Sequence, residues 1–406
     1  MNSKQFSYKV THKLSSSPLA RAGVIDTPHG EIKTPAFIVV GTKATVKAMT
    51  PEQVKAVNAQ AVLANAYHLY LQPGHELIDQ AGGLASFMNW QGPTFTDSGG
   101  FQVLSLGSGY KKVVAMQSGS IDDTAVATPN KERRAHVDDE GVTFKSHIDG
   151  SKHKFTPELS IQIQHAIGPD IMFAFDELTG LHDTYEYQVT SLKRTHNWAL
   201  QCLSEKARLD KLHPERSYRA LFGVLQGAQY KDLREKTAKF MAELPFDGYG
   251  IGGAIEKNIL GDIVSWVNTV LPENKPRHLL GISEPDDIFE AIEKGIDTFD
   301  CVSPTRVARN GSAYTSYGRV HITSSKYRAL FEPIQPDCTC YTCQNYTTAY
   351  LHHLFKAREM LASTLTSIHN EHFIIKLVDD IRQSIVEDDF LALKTDWLSN
   401  YYQKKL

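Results

Sequence analysis

Cysteine is scarce in this chain, with five residues among 406. Three of the five fall within six residues, which does not suit the disulfide framework of a small secreted domain. Long apolar runs are missing too, and none reaches the ~18 residues that a bilayer span requires. The opening segment, MNSKQFSYKVTHK, is polar and lacks the apolar stretch of a secretory signal. Together these absences predict a protein of the reducing cytoplasm. Neither charge sign prevails: 43 Lys and Arg stand against 46 Asp and Glu, for a formal net charge of −3. A nucleic-acid partner would therefore have to find a local basic patch. Candidate patches are Lys111 with Lys112, Lys131 to Arg134, and Arg306 with Arg309. No G-x-G-x-x-G follows the first apolar run, which argues against a dinucleotide-binding sheet. With 41% apolar and 22% charged residues, the composition is that of an ordinary globular chain with room for one large core or two domains.

What is present is most specific near the C-terminus. Cys338, Cys340 and Cys343 form C-x-C-x2-C, and thiols this close can converge on one ion. Zinc binds thiolate at ~2.3 Å and imidazole at ~2.0 Å in a tetrahedron, and a Cys3His set closes it. A structural rather than a catalytic ion is the expectation. His369, 26 positions after Cys343, is one candidate for the fourth ligand; His352 and His353, nearer in sequence, are the others.

Short β-prone runs recur along the chain: AFIVVGT (36–42), AVLAN (61–65), TFTD (94–97), IMFAFDE (171–177), ALFGVLQG (220–227), GYGIGG (248–253), HLLGIS (278–283) and TFDCVSPT (298–305). Most are nearly continuous in apolar residues, as strands buried on both faces of a parallel sheet are. Helical segments separate most of them. Two open at Thr50-Pro51 and Thr156-Pro157, and others are expected at 187–207, 230–243, 259–270 and 285–294. Eight alternations predict a (β/α)8 barrel, with a doubly wound open sheet as the alternative. Polar residues cluster where the runs stop, at Asn65, Asp97, Asp176, Gln226, Gly252-Gly253 and Asp300. In a barrel those ends face one pocket. Residues 107–130 lack periodicity and are expected to be a long loop. Hairpins are expected at Asp149-Gly150 and over 312–323, and 346–390 should be helical, with Ile374, Leu377, Ile381 and Ile385 on one face.

The motifs TDSGGFQ (96–102), FDE (175–177), VLQG (224–227), FDCVSPTR (299–306) and ARNG (308–311) occur in order with the thiol set. In this the chain resembles the bacterial-type tRNA-guanine transglycosylases, also called queuine tRNA-ribosyltransferases, from about residue 8 to about residue 390. The resemblance implies a TIM barrel over 1–330 with a long loop at about 107–137. It also implies a zinc-binding subdomain and barrel-closing helices over 331–406. It implies one structural Zn2+ per subunit, with His369 completing the set of Cys338, Cys340 and Cys343. The implied reaction exchanges guanine at the anticodon wobble position of tRNA for a 7-deazaguanine, either preQ1 or queuine. Asp300 would be the nucleophile and Asp97 the general acid/base. Ser98, Phe101, Asp176, Gln226, Gly253, Ala254 and Leu280 would bind the base, and Arg306 and Arg309 the tRNA. Bacterial relatives are homodimers, so a homodimer is expected.

That assignment suits the chemistry. Replacing a base without cutting the strand calls for a carboxylate that attacks C1′ and a second carboxyl that manages protons, as in retaining glycosidases. A target base in a single-stranded loop leaves its stack cheaply. Two places depart from the bacterial pattern: Ala254-Ile255-Glu256-Lys257-Asn258 replaces the usual L-A-V-G-E, and Leu178 stands where cysteine is common. Both border the expected place of the 7-substituent and leave preQ1 and queuine open. A non-catalytic subunit of the same family is the alternative function, against which both Asp97 and Asp300 are present. The archaeal branch, with its added C-terminal domains, is disfavoured by an end at Leu406. A small-molecule barrel hydrolase would not explain the ordered motifs.

Overall fold

The computed structural model describes residues 6–107, 135–181 and 183–403. The expected loop beyond Gly107 and the patches Lys111 with Lys112 and Lys131 to Arg134 lie outside the described residues. Each of the eight runs supplies one strand: Ala36–Val40, Val62–Ala64, Thr94–Thr96, Ile171–Phe173, Ala220–Leu225, Gly248–Ile251, Arg277–Leu280 and Thr298–Cys301. They pair in parallel in chain order, and the eighth returns to the first through Thr298↔Ala36 to Cys301↔Val39. The sheet is thus a closed barrel, and the open-sheet alternative is excluded.

Strand alternation sorts the side chains. Ala36, Ile38 and Val40, with Leu63, Phe95, Phe173, Phe222 and Val224, form one buried cluster that fills the barrel. Their neighbours Phe37, Val39, Val62, Met172 and Leu221 join the larger core beneath the helices. The lower end is closed by a three-stranded antiparallel sheet, Ser7–Leu14, Ser17–Thr27 and Gly30–Thr34, which sends Ile25 and Ile32 into the barrel cluster. No apolar run announces this sheet, because one face of its first strand stays in water.

The helices start where local chemistry starts them. Thr50 makes a reciprocal capping box with Gln53 before Pro51–Ala56, and Thr156 accepts from Leu159 N before Pro157–Ile167. The expected C-terminal helical stretch is two helices, Thr348–Ala357 and Met360–Glu387, separated at Arg358 with φ 59°. Ile374, Leu377, Ile381 and Ile385 are buried against the barrel, as their spacing requires. Strands Ser312–Thr315 and Gly318–His321 form the second expected hairpin. The first belongs to a three-stranded sheet in which Ala135–Asp138 also pairs, so the segment up to about 137 ends as strand rather than loop. Among the described residues no helix is long and apolar enough to cross a membrane.

Candidate active site and metal centre

The upper, C-terminal ends of the strands surround a cavity of about 340 Å³. Asp97 follows the third strand, Asp176 the fourth and Gln226 the fifth, while Gly253 follows the sixth, Leu280 closes the seventh and Asp300 lies one residue before the end of the eighth. All of these line the cavity, as do Ser98, Phe101, Arg306 and Arg309. Ala254 does not line it; it is buried behind the wall. Leu178 does line it.

The two carboxyls expected to do chemistry have different surroundings. Asp97 accepts from Ala66 N at 2.9 Å and from Asn65 Nδ2, while Asn65 Oδ1 caps the next helix by accepting from His68 N. Burial, with the charge of Asp300 adding to it, pushes the Asp97 carboxyl up to about 7 despite the Ala66 bond. Asp300 instead meets His278, whose Nε2 lies 3.0 Å from Oδ1 and whose Nδ1 lies 2.9 Å from Thr298 Oγ1. The His278 ring is fully buried and packs against Phe95 and Phe173. His278 is absent from the sequence-based set, although a period of two would have found it. Leu280 pairs with Asp300 and His278 with Thr298, so all four point to the same side.

Asp176 forms the opposite wall. Gln226 Nε2 donates to its Oδ2 at 2.6 Å and Ser98 Oγ to its Oδ1 at 3.4 Å, yet burial pushes this carboxyl up to about 6. At the rim Lys47 joins Arg306 and Arg309. Burial first, then Arg309, Arg306 and Lys43, holds the Lys47 ammonium below its ordinary range, which marks a concentrated positive edge. Lys47, like His278, was not singled out from sequence. Such an edge suits phosphate oxygens, and the two carboxyls below it suit proton transfer and attack on an electrophilic carbon.

The metal-ligand set is compact. Cys338, Cys340 and Cys343 Sγ lie 3.7, 3.5 and 3.3 Å from His369 Nδ1, and all four ligand atoms lie within 4.8 Å of one another. A tetrahedral zinc with the usual bond lengths separates sulfur from nitrogen by ~3.6 Å, so the set fits. His369 Nε2 donates to Tyr314 O at 2.7 Å, which leaves Nδ1 for an ion. His352 is committed elsewhere, with Nδ1 2.8 Å from Ile322 O, and His353 is exposed and outside the cluster. The four residues could therefore hold one metal ion, and they leave no open coordination position for substrate.

Comparison with known proteins agrees with this geometry. Residues 16–403 match the family described as queuine tRNA-ribosyltransferase. The chain is 46% identical over 396 residues to the queuine tRNA-ribosyltransferase of Thermoanaerobacter sp. (strain X514), covering 97% of each chain. To that of Pelotomaculum thermopropionicum it is 44% identical over 398 residues, 97% of this chain and 98% of the other. To that of Staphylococcus epidermidis (strain RP62A) it is 45% identical over 385 residues, 94% and 93% of the two chains. A match of this length and identity, on a closed barrel with a Cys3His cluster, means that the chain belongs to the queuine tRNA-ribosyltransferase family.

Proposed function

We propose that the cavity exchanges guanine at the wobble position of tRNA for a 7-deazaguanine by double displacement through an Asp300–ribose ester. As a member of its family the protein is a pentosyltransferase, a tRNA-guanine transglycosylase of queuosine modification. The observation that carries the mechanism is the pairing of two unlike carboxyls over one cavity: Asp97 near neutrality and Asp300 held by His278. An ionised Asp300 can only accept, so His278 Nε2–H donates to Oδ1 and leaves Oδ2 to attack C1′. The first displacement forms the Oδ2–C1′ bond and breaks the bond to guanine. The second forms the bond from the incoming base to C1′ and frees Oδ2, and two inversions give net retention. Asp97 gives a proton to the departing base and takes one from the arriving base. Asp176 accepts from the ring N–H edge, Ser98 steadies Asp176, and Gln226 with the backbone at Gly253 donates to the ring carbonyl. Phe101 and Leu280 stack on the two faces of the base, and Arg306, Arg309 and Lys47 hold the anticodon loop.

The test is trapping. Wild-type protein incubated with tRNA should give a covalent RNA–protein band on a denaturing gel, and Asp300→Asn should give none while still binding tRNA. Equal trapping by the variant would remove Asp300 from the nucleophile's role. For the incoming base we infer that queuine is accepted at least as well as preQ1, since Ala254, behind the cavity wall, is smaller than the leucine usual there and lets that wall give way to a bulkier substituent. A clear preference for preQ1 in kcat/KM would exclude this.

Zinc is the ion proposed for Cys338, Cys340, Cys343 and His369, where it would tie the Cys segment to the long helix and add its binding energy to folding. Cys340→Ser should lose metal and thermal stability together. A cytoplasmic homodimer is proposed as well; all five cysteines are unpaired, and Phe331, Tyr350 and Met360 are exposed in the C-terminal segment that carries the metal ligands. Sedimentation giving a monomer at micromolar concentration would exclude the dimer.

A further inference from the structure

Arg234 lies on the helix Lys231–Ala242 and is fully buried beneath the ends of the fifth and sixth strands. A buried guanidinium ordinarily pairs with a carboxylate, because its desolvation is otherwise uncompensated. Arg234 binds backbone instead. Nε donates to Ala228 O at 2.8 Å, and Nη1 donates to Leu225 O at 3.1 Å and Gly252 O at 2.8 Å. Ala228 takes φ +47°, a left-handed conformation that turns its carbonyl onto the guanidinium. Nη2 has no partner.

A second buried atom without a partner among the described residues lies beside it: Gln226 Oε1. Both atoms abut Gly253, where a methyl group would sit 2.7 Å from Nη2 and 3.2 Å from Oε1. With φ at +118° there, glycine is required by conformation as well as by space. The other end of the same amide, Nε2, donates to Asp176 Oδ2 at 2.6 Å. A base that enters between Asp176 and Gln226 must break that bond. The freed amide could then turn either end toward the base, its NH2 or its carbonyl. Nη2 can only donate, so it accepts one of the two orientations and opposes the other.

We propose that Arg234 is a positioning residue that holds Gln226 Oε1 against the protein, so that the NH2 faces the cavity and selects a base with a ring carbonyl over one with an amino group at that edge. The proposal rests on Gln226 touching the base, as inferred above. The guanidinium suits the task because Leu225 O and Gly252 O anchor it to the two strands that carry Gln226 and Gly253, so the donor is in place before the base arrives.

Binding of free guanine and of 2,6-diaminopurine, which carries an amino group in place of the carbonyl and lacks the neighbouring ring N–H, tests it on the zinc-loaded protein by calorimetry. Wild type should prefer guanine. Arg234→Met should narrow that preference at least about tenfold, mainly by weakening guanine. Arg234→Lys keeps the charge but cannot reach the carbonyls and the amide together, and should narrow it at least about threefold. A strut with no part in selection would weaken both bases equally, so an unchanged ratio overturns the proposal. Should Arg234→Met fail to fold, the Arg234→Lys ratio decides alone. Gln226→Leu separates the two layers. It should narrow the preference at least as far as Arg234→Met does, leaving the part that Asp176 draws from the ring N–H, and make Arg234→Met silent when the two are combined. If Gln226→Leu keeps the wild-type preference, the contact of Gln226 with the base is wrong and this proposal falls with it. If Gln226→Leu narrows the preference and the Arg234 variants keep it, only the role of Arg234 is wrong.

Discussion

At the lower end of the barrel Asp297 is fully buried and fully compensated. Arg21 grips it with Nε at 2.9 Å and Nη2 at 2.6 Å, Tyr8 OH donates at 2.6 Å, and Arg277 N donates at 2.8 Å. At the upper end Asp97 and Asp176 are held by amide, hydroxyl and backbone donors without a cation, and both carboxyls titrate well above the ordinary range. The mirror case is Arg234, a buried upper-end cation whose hydrogen bonds go to backbone carbonyls. One residue type thus does two jobs in one barrel. Compensated charge ties the N-terminal sheet to the strands, and uncompensated charge keeps protons and donors available to a ligand.

The largest effect should come from breaking the lower pair. Arg21→Met leaves Asp297 buried without its cation and should cost about 3–5 kcal/mol of stability. Urea unfolding reads this, and exchange per folded molecule should stay near wild type. Lost exchange at unchanged stability would show that the two ends are not separate.

His278→Phe tests the upper end next. It removes the donor that orients Asp300 while keeping a ring between Phe95 and Phe173. We expect kcat to fall roughly 10–100-fold, with free-guanine binding unchanged. A rise in the dissociation constant for guanine instead would place His278 in base binding.

Asp97→Asn should separate stability from activity. A carboxyl raised to about 7 keeps its proton in the fold where the unfolded chain has lost it, so the folded state binds more protons. Its contribution is therefore most favourable below the unfolded value of ~3.9 and is lost as pH rises through about 7. The variant should lose exchange yet melt a few degrees above wild type at pH 8, and the gap should close at pH 4. A variant that melts lower at pH 8 would contradict burial as the cause. The smallest effect is expected at the rim, where Arg306→Ala or Arg309→Ala should lower the salt slope of tRNA binding by ~1 each. Guanine binding should not move; if it alone moved, these arginines would not be RNA contacts.

The barrel strands were legible because each is a local apolar run, and the thiols because all three lie within six residues. The N-terminal sheet was not, since its first strand alternates exposed and half-buried positions and carries no apolar signal. The fourth metal ligand was open on spacing alone. It was closed by a partner on another element, Ile322 O for His352 and Tyr314 O for His369. His278 and Arg234 carry no motif, and their meaning comes from Asp300 and from the Gln226–Gly253 wall.

Pattern and spacing are properties of neighbours along the chain, so the sequence by itself determined the eight strands, the cap residues and which carboxyls stand at the strand ends. Protonation and orientation are set by what surrounds a group from other elements. Only the tertiary structure decided that Asp97 sits near neutrality while Asp297 is clamped as an ion pair. The first is buried among neutral donors, and the second is brought against Arg21 from a sheet more than two hundred residues away in sequence.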